Sequence, residues 1–209
     1  MARALDLRLY VVTDREQAGE RGVAHVVRAA IEGGATIIQL RDKRAGTREL
    51  VEQARALVAL CRPHRVPLLV NDRVDVALAA GADGVHLGQS DMDLSDARRL
   101  MGDEAIIGVS VRDAREVTLA ERHGASYVAA NGVWATATKT DFGLPLGEAG
   151  LEKLVACCRL PMVAIGGITV REAPHLAAAG CAGIAVVSAV MKAPEPRDAA
   201  RALREAFGR

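Results

Sequence analysis

The chain of 209 residues is half apolar, with 27 basic and 26 acidic side chains and a formal net charge of +1. That length suits one large domain over residues 1–209, and the balanced charge leaves no electrostatic footprint for nucleic acid or an anionic membrane surface. Aromatic residues make up 2% of the chain, too few for base-stacking surfaces.

At the N-terminus, Met1 to Leu9 carries charges at Arg3, Asp6 and Arg8 and reaches a strand-like run at once. There is no signal-peptide core and no apolar run of membrane-spanning length, so a cytoplasmic protein acting on small molecules is the expectation. Cys61, Cys157, Cys158 and Cys181 show no C-x-x-C spacing and are expected to be buried, reduced thiols.

Eight apolar runs of strand length follow in order: "RLYVVTD", "TIIQLRD", "VPLLVND", "DGVHLGQ", "AIIGVS", "SYVAANG", "PMVAIGG" and "GIAVVS". The second, fourth, sixth and eighth each follow a Gly and a small residue, so the chain repeats itself. Helical patterns separate the runs. "RELVEQARALVALC" places Leu50, Val51, Ala54, Leu57, Val58 and Cys61 on one stripe. "VDVALAAG" stops at Gly81, a helix-ending glycine. "SDARRLMG" offers Ser95 as N-cap and closes on Gly102. "REAPHLAAAG" and "PRDAARALREAFG" continue the theme. Strands alternating with helices pair in parallel through crossovers, and runs apolar on both faces suit strands packed inside and out. The expected fold is a (β/α)8 TIM barrel in one domain; a doubly wound open sheet is the runner-up.

In such a barrel the chemistry sits where strands end. The first run ends in Thr13 and Asp14, the second in Gln39, Arg41 and Lys43, and the third in Asn71 and Asp72. The fourth ends in His86, Gln89 and Asp91, and the fifth in Ser110. "TATK", Thr136 to Lys139, follows the sixth; glycines and a serine follow the last two. Strand parity sends Ile38 and Leu40 one way and Gln39 and Arg41 the other. Arg41, Lys43 and Lys139 can converge on a polyanion, Arg through forked hydrogen bonds and Lys as a point charge. Asp72 and Asp91 are either partners in ion pairs or ligands of a Mg²⁺ shared with phosphate oxygens. The excess of cations favours the second. "AIGG" and "VVS" end runs seven and eight, where barrels often bind a phosphate through backbone N–H groups. Two anionic sites, one charged and one backbone-built, fit a diphosphate donor meeting a monophosphate acceptor. His86 shares a face with Gly84 and Gly88, and reads either as substrate-facing or as a hydrogen-bonded core histidine.

"YVVTD", "IIQLRDK", "VNDRVDVALAAGADGVHLGQSDM", "IIGVSV", "TATKTD", "VAIGGI" and "AVVSAV" together resemble the motifs of thiamine phosphate synthases, in that family's order and over nearly the whole chain. The run from Val70 to Met92 is the most specific. The resemblance implies a transferase that joins hydroxymethylpyrimidine diphosphate to a thiazole monophosphate and releases pyrophosphate, with Mg²⁺ as cofactor. It implies that Gln39, Leu40, Arg41, Asp42, Lys43, Asn71, Ser110 and Lys139 bind the pyrimidine diphosphate. Of these, Arg41, Lys43, Ser110 and Lys139 would serve catalysis. Asp72 and Asp91 would hold the metal, and Thr136, Ala137, Thr138, Gly166, Gly167, Val187 and Ser188 the thiazole phosphate. The implied mechanism is ionisation: the aminopyrimidine releases electrons, pyrophosphate departs, and the thiazole nitrogen captures the methylene cation. The partners expected are these small molecules, without nucleic acid or membrane, and a homo-oligomer is compatible with them.

"NGVWATATK" departs from the family's usual glycine-and-proline pattern at Asn131, Gly132 and Ala135, which predicts a less rigid loop. A thiazole tautomerase of the same fold is the nearest rival, and a non-catalytic phosphate-binding barrel the next. Keeping Asn71, Asp72, Asp91 and Lys139 together argues against both.

Overall fold

Each apolar run forms a short parallel strand because its residues must be buried on both faces, and helices cover only the outer one. In the computed structural model, which describes residues 5–134 and 145–208, every strand is followed by at least one helix. β1 (Leu9–Val12) leads through α1 (Arg15–Ala18) and α2 (Val23–Glu32) to β2 (Ile37–Leu40). α3 (Thr47–Cys61), β3 (Leu68–Asn71), α4 (Val74–Ala80) and β4 (Gly84–Leu87) follow. Then come α5 (Leu94–Met101), β5 (Ile106–Val111), α6 (Ala114–Arg122) and β6 (Tyr127–Asn131). α7 (Gly147–Cys157), β7 (Met162–Ile165), α8 (Ala173–Ala178), β8 (Gly183–Val186), α9 (Ser188–Met191) and α10 (Pro196–Phe207) complete the described residues.

The sheet closes: β1 pairs with β2 on one side and with β8 on the other, Tyr10 lying opposite both Ile37 and Ala185. Closure decides against the open sheet. Alternation along each strand then sorts the side chains into two apolar layers. Ile38, Leu40, Leu68 and Val70 pack outward against the helices. Tyr10, Ile37, Leu69, Tyr127 and Val163 fill the barrel interior. Gln39 follows Ile37 into the interior and is almost wholly buried.

Two local expectations are corrected. Ser95 does not cap α5; Asp93 does, its carboxylate accepting the Ser95 backbone N–H at 2.8 Å and the Ser95 hydroxyl as well. An ionised carboxylate is a strong cap, and from the position just before Leu94 it reaches forward onto the N–H groups of the first turn. The thiols are all free, but only Cys61 and Cys181 are buried. Cys158 is half-buried, and Cys157 lies exposed at the end of α7.

Candidate active site

The strand ends open into a cavity of about 420 Å³ at one mouth of the barrel. On one side stand Gln39, Arg41, Lys43, Asn71, Asp72 and Asp91, brought together from three neighbouring strand ends. β3 stops at Asn71 because Asp72 turns into the left-handed region, at φ 63°, a conformation Asp and Asn tolerate better than most residues. The turn is braced by the Asp72 N–H, which donates to the His86 carbonyl of the adjacent strand at 2.9 Å. After β4, Asp91 folds back so that its Oδ2 accepts the Gly88 backbone N–H at 2.6 Å.

Burial and the Asp91 carboxylate beside it push the Asp72 carboxyl up to about 6, while Lys43 and Arg41 pull in the opposite direction. The two cations therefore do not neutralise the pair. A partly buried carboxylate pair whose charges oppose one another fits a hard divalent cation such as Mg²⁺, which takes one or two protein carboxylates and completes its shell with water and phosphate. Among the described residues no group of three or more His, Cys, Asp or Glu forms, so no all-protein cage is built there.

A buried polar chain crosses the barrel beneath this cluster. Gln39 Nε2 donates to the Tyr10 hydroxyl at 2.5 Å, and the Tyr10 and Tyr127 hydroxyls lie 2.9 Å apart. The Tyr127 hydroxyl is 2.9 Å from His86 Nδ1, and His86 Nε2 is 3.0 Å from Ser110 Oγ. The His86 ring stacks on Tyr127 at 5.7 Å. Gly108 of β5 makes the space: a Cβ there would collide with the Tyr127 ring. His86 is thus both hydrogen-bonded in the core and part of the cavity wall, so the two readings of its sequence position are compatible.

Across the cavity, Gly166, Gly167, Val187 and Ser188 line the wall. Gly166 has φ 115°, and a side chain there would press on Gly132 and the Trp134 carbonyl; only glycine allows this approach. The same contact stitches the chain after β6 to β7. Gly132 and Val133 donate to the Ile165 carbonyl at 2.9 and 3.0 Å, and Trp134 donates to Gly166 at 3.3 Å. Returning from residue 145, Leu146 donates to Gly132 at 2.8 Å and Gly147 to Val133 at 2.9 Å.

Several sequence-derived site residues stand elsewhere. Leu40 is buried against the helices, on the outward parity of β2. Asp42 is tied into its own loop, accepting the Arg44 and Ala45 N–H groups at 3.0 and 3.1 Å. Thr13 accepts the Arg41 N–H at 3.0 Å, and Asp14 caps α1 through Gln17. The side chains of Asp42, Thr13 and Asp14 shape the loops, and that of Leu40 the outer core, rather than the cavity wall. Thr136, Ala137, Thr138 and Lys139 lie outside the described residues, as does Ala135. The cavity wall also includes Tyr10, Arg112, Asn131 and Ile168, which the sequence reading had not assigned to it. Tyr10 carried a signal: it sits on the parity that points inward.

A profile described as thiamine monophosphate synthase matches residues 9–190. The thiamine-phosphate synthase of Azorhizobium caulinodans is 47% identical, covering 98% of this chain and 96% of its own. That of Xanthobacter autotrophicus is 48% identical, with 99% and 98% covered. Among solved structures, thiamine phosphate pyrophosphorylase from Pyrococcus furiosus superposes with a TM-score of 0.88 at 43% identity, covering 98% of this chain and 96% of that one. A 3-hexulose-6-phosphate synthase, at 22% identity and a TM-score of 0.71, shares the fold.

Proposed function

The chain belongs to the thiamine monophosphate synthase family, transferases of thiamine biosynthesis, and from that premise we propose how its own residues divide the reaction. The enzyme joins hydroxymethylpyrimidine diphosphate to thiazole monophosphate, forming thiamine monophosphate and pyrophosphate. The observation that carries the division is the two-sided cavity: carboxylates and cations on one wall, close-approach glycines and Ser188 on the other.

Gln39, Asn71 and Ser110 hold the pyrimidine. Arg41 and Lys43, with Lys139, hold the diphosphate; fixed cations aimed at a leaving group stabilise the charge that develops there without reorganising. Asp72 and Asp91 would hold Mg²⁺, which would supply further neutralisation of the leaving pyrophosphate. Gly166, Gly167, Val187 and Ser188, with Thr136, Ala137 and Thr138, seat the thiazole phosphate. Holding both substrates in one cavity sets the thiazole nitrogen in line with the pyrimidine methylene and keeps water from competing for the cation. No side-chain nucleophile is required, and none of Cys61, Cys157, Cys158 and Cys181 lines the cavity.

Incubating the purified chain with both substrates, with Mg²⁺ and then with a chelator, tests the reading. Thiamine monophosphate and pyrophosphate should appear in equal amounts and only with the metal. Turnover undiminished by chelation removes the metal role, and no product with Mg²⁺ removes the activity.

A further inference from the structure

We propose that Tyr10, Tyr127 and His86 are positioning residues. They fix the direction of the hydrogen-bond chain between Gln39 and Ser110, so that Gln39 meets the pyrimidine as an acceptor and Ser110 meets it as a donor. This rests on the pyrimidine being the substrate held by those two residues.

The direction follows from counting protons. Burial raises both phenols above their usual range, so each hydroxyl keeps its single proton. Gln39 Nε2 already donates to the Tyr10 oxygen. Tyr10 then directs its own proton to Tyr127, and Tyr127 directs its proton to His86 Nδ1. An imidazole accepting at Nδ1 carries its proton on Nε2, and that proton faces Ser110 Oγ. The serine hydroxyl proton is left to point into the cavity. In the opposite sense, with the Gln39 amide turned as it is here, the Tyr10 oxygen would receive from both Gln39 and Tyr127. Its own proton would then have no acceptor in a fully buried interior, which is penalised.

The ends of the chain suit an aminopyrimidine. With Nε2 engaged by Tyr10, Gln39 has its carbonyl oxygen for the substrate, and an exocyclic N–H is the matching donor. Ser110 offers a proton to a ring nitrogen. As the diphosphate departs, positive charge spreads onto the exocyclic amine and its N–H becomes a stronger donor. The Gln39 contact therefore strengthens in the transition state, while the Ser110 contact sets the ring's orientation. Gly108, which admits the Tyr127 ring, belongs to the same arrangement.

Nuclear magnetic resonance of the full chain labelled with ¹⁵N,¹³C-histidine, without substrate, reads the tautomer directly. The His86 signal is identified by its loss in His86→Gln. The wild type should show the Nε2–H form. Tyr127→Phe keeps the stacked ring but removes the hydroxyl. It should abolish that tautomer preference and raise KM for the pyrimidine diphosphate about tenfold, as expected for one lost hydrogen bond, with KM for the thiazole phosphate unchanged. Tyr10→Phe leaves the Tyr127–His86 link in place. It should keep the tautomer while raising the same KM, and it carries the kinetic test if Tyr127→Phe does not fold. An Nδ1–H tautomer in the wild type overturns the proposal. So does a Tyr127→Phe variant with unchanged tautomer and KM, or an equal rise in both KM values. Absence of any turnover by the wild type would sink the proposed reaction instead, and the tautomer, measured without substrate, would still decide the direction of the chain.

Discussion

The carboxyl of Asp72 is half-buried beside that of Asp91 at the end of the adjacent strand, and burial first, then the neighbouring carboxylate, disfavour its ionisation. The Asp72 carboxyl titrates near 6 in the folded chain against an ordinary value of 3.8. Its contribution to stability is therefore present in full below the ordinary value and is lost as the pH rises through about 6. In chelator above that pH, Asp72→Asn should melt higher than the wild type. Asparagine also keeps the left-handed turn at φ 63°, which alanine would strain. On the proposed metal role Mg²⁺ binds the ionised pair, so the rise in wild-type Tm on adding Mg²⁺ should grow as the pH climbs toward about 6 and level off beyond. Thermal melts with and without Mg²⁺ check both points; a Mg²⁺ response in Asp72→Asn equal to the wild type contradicts the assignment.

Turnover should depend on the same pair. Asp72→Asn and Asp91→Asn are each expected to lose more than ~100-fold in kcat/KM, the scale of removing one preorganised stabiliser of developing charge. Asparagine at 91 can still accept the Gly88 N–H, so the loop should hold its shape. Circular dichroism beside the kinetics separates loss of charge from loss of fold. Near-normal rates at low Mg²⁺ would leave these carboxylates without the metal.

Ser188 offers a test of the opposite wall. Ser188→Asp brings a carboxylate to the end of the cavity proposed for the thiazole phosphate and should raise KM for that substrate well above any change for the pyrimidine diphosphate. A matched change in both would erase the two-sided division.

Gly108→Ala targets packing rather than charge. The added methyl meets the Tyr127 ring with no room to spare, so the ring must shift. Such overpacking commonly costs ~1–3 kcal/mol. The denaturant midpoint should fall, and KM for the pyrimidine diphosphate should rise with it. An unchanged midpoint would mean that the phenol has an alternative seat.

Strand parity made much of this readable in advance. Gln39 between Ile38 and Leu40 announces an inward polar group, and Asp72 after Asn71 marks a strand stopped for a purpose. The same parity sends the Leu40 side chain outward, into the core beneath the helices. The Asp42 side chain likewise faces its own loop, because a carboxylate there satisfies the nearby Arg44 and Ala45 backbone N–H groups. The Tyr10–Tyr127 contact was out of reach, since it joins β1 to β6 across the barrel and depends on a space that only Gly108 leaves. Asp93 displaced Ser95 as the cap because a charged acceptor just upstream outcompetes a hydroxyl, a contest that helical periodicity does not register.

The stitching of Gly132 and Val133 to Ile165 on one side and to Leu146 and Gly147 on the other gives the intervening stretch a shared doorstep. Chain leaves and re-enters the barrel at nearly the same point. Lengthening a segment tethered in this way costs only a slowly growing closure entropy, with each doubling adding ~0.6 kcal/mol. A change of length between Trp134 and Pro145 is therefore absorbed at that doorstep, and the strands, the carboxylate pair and the buried phenols keep their places.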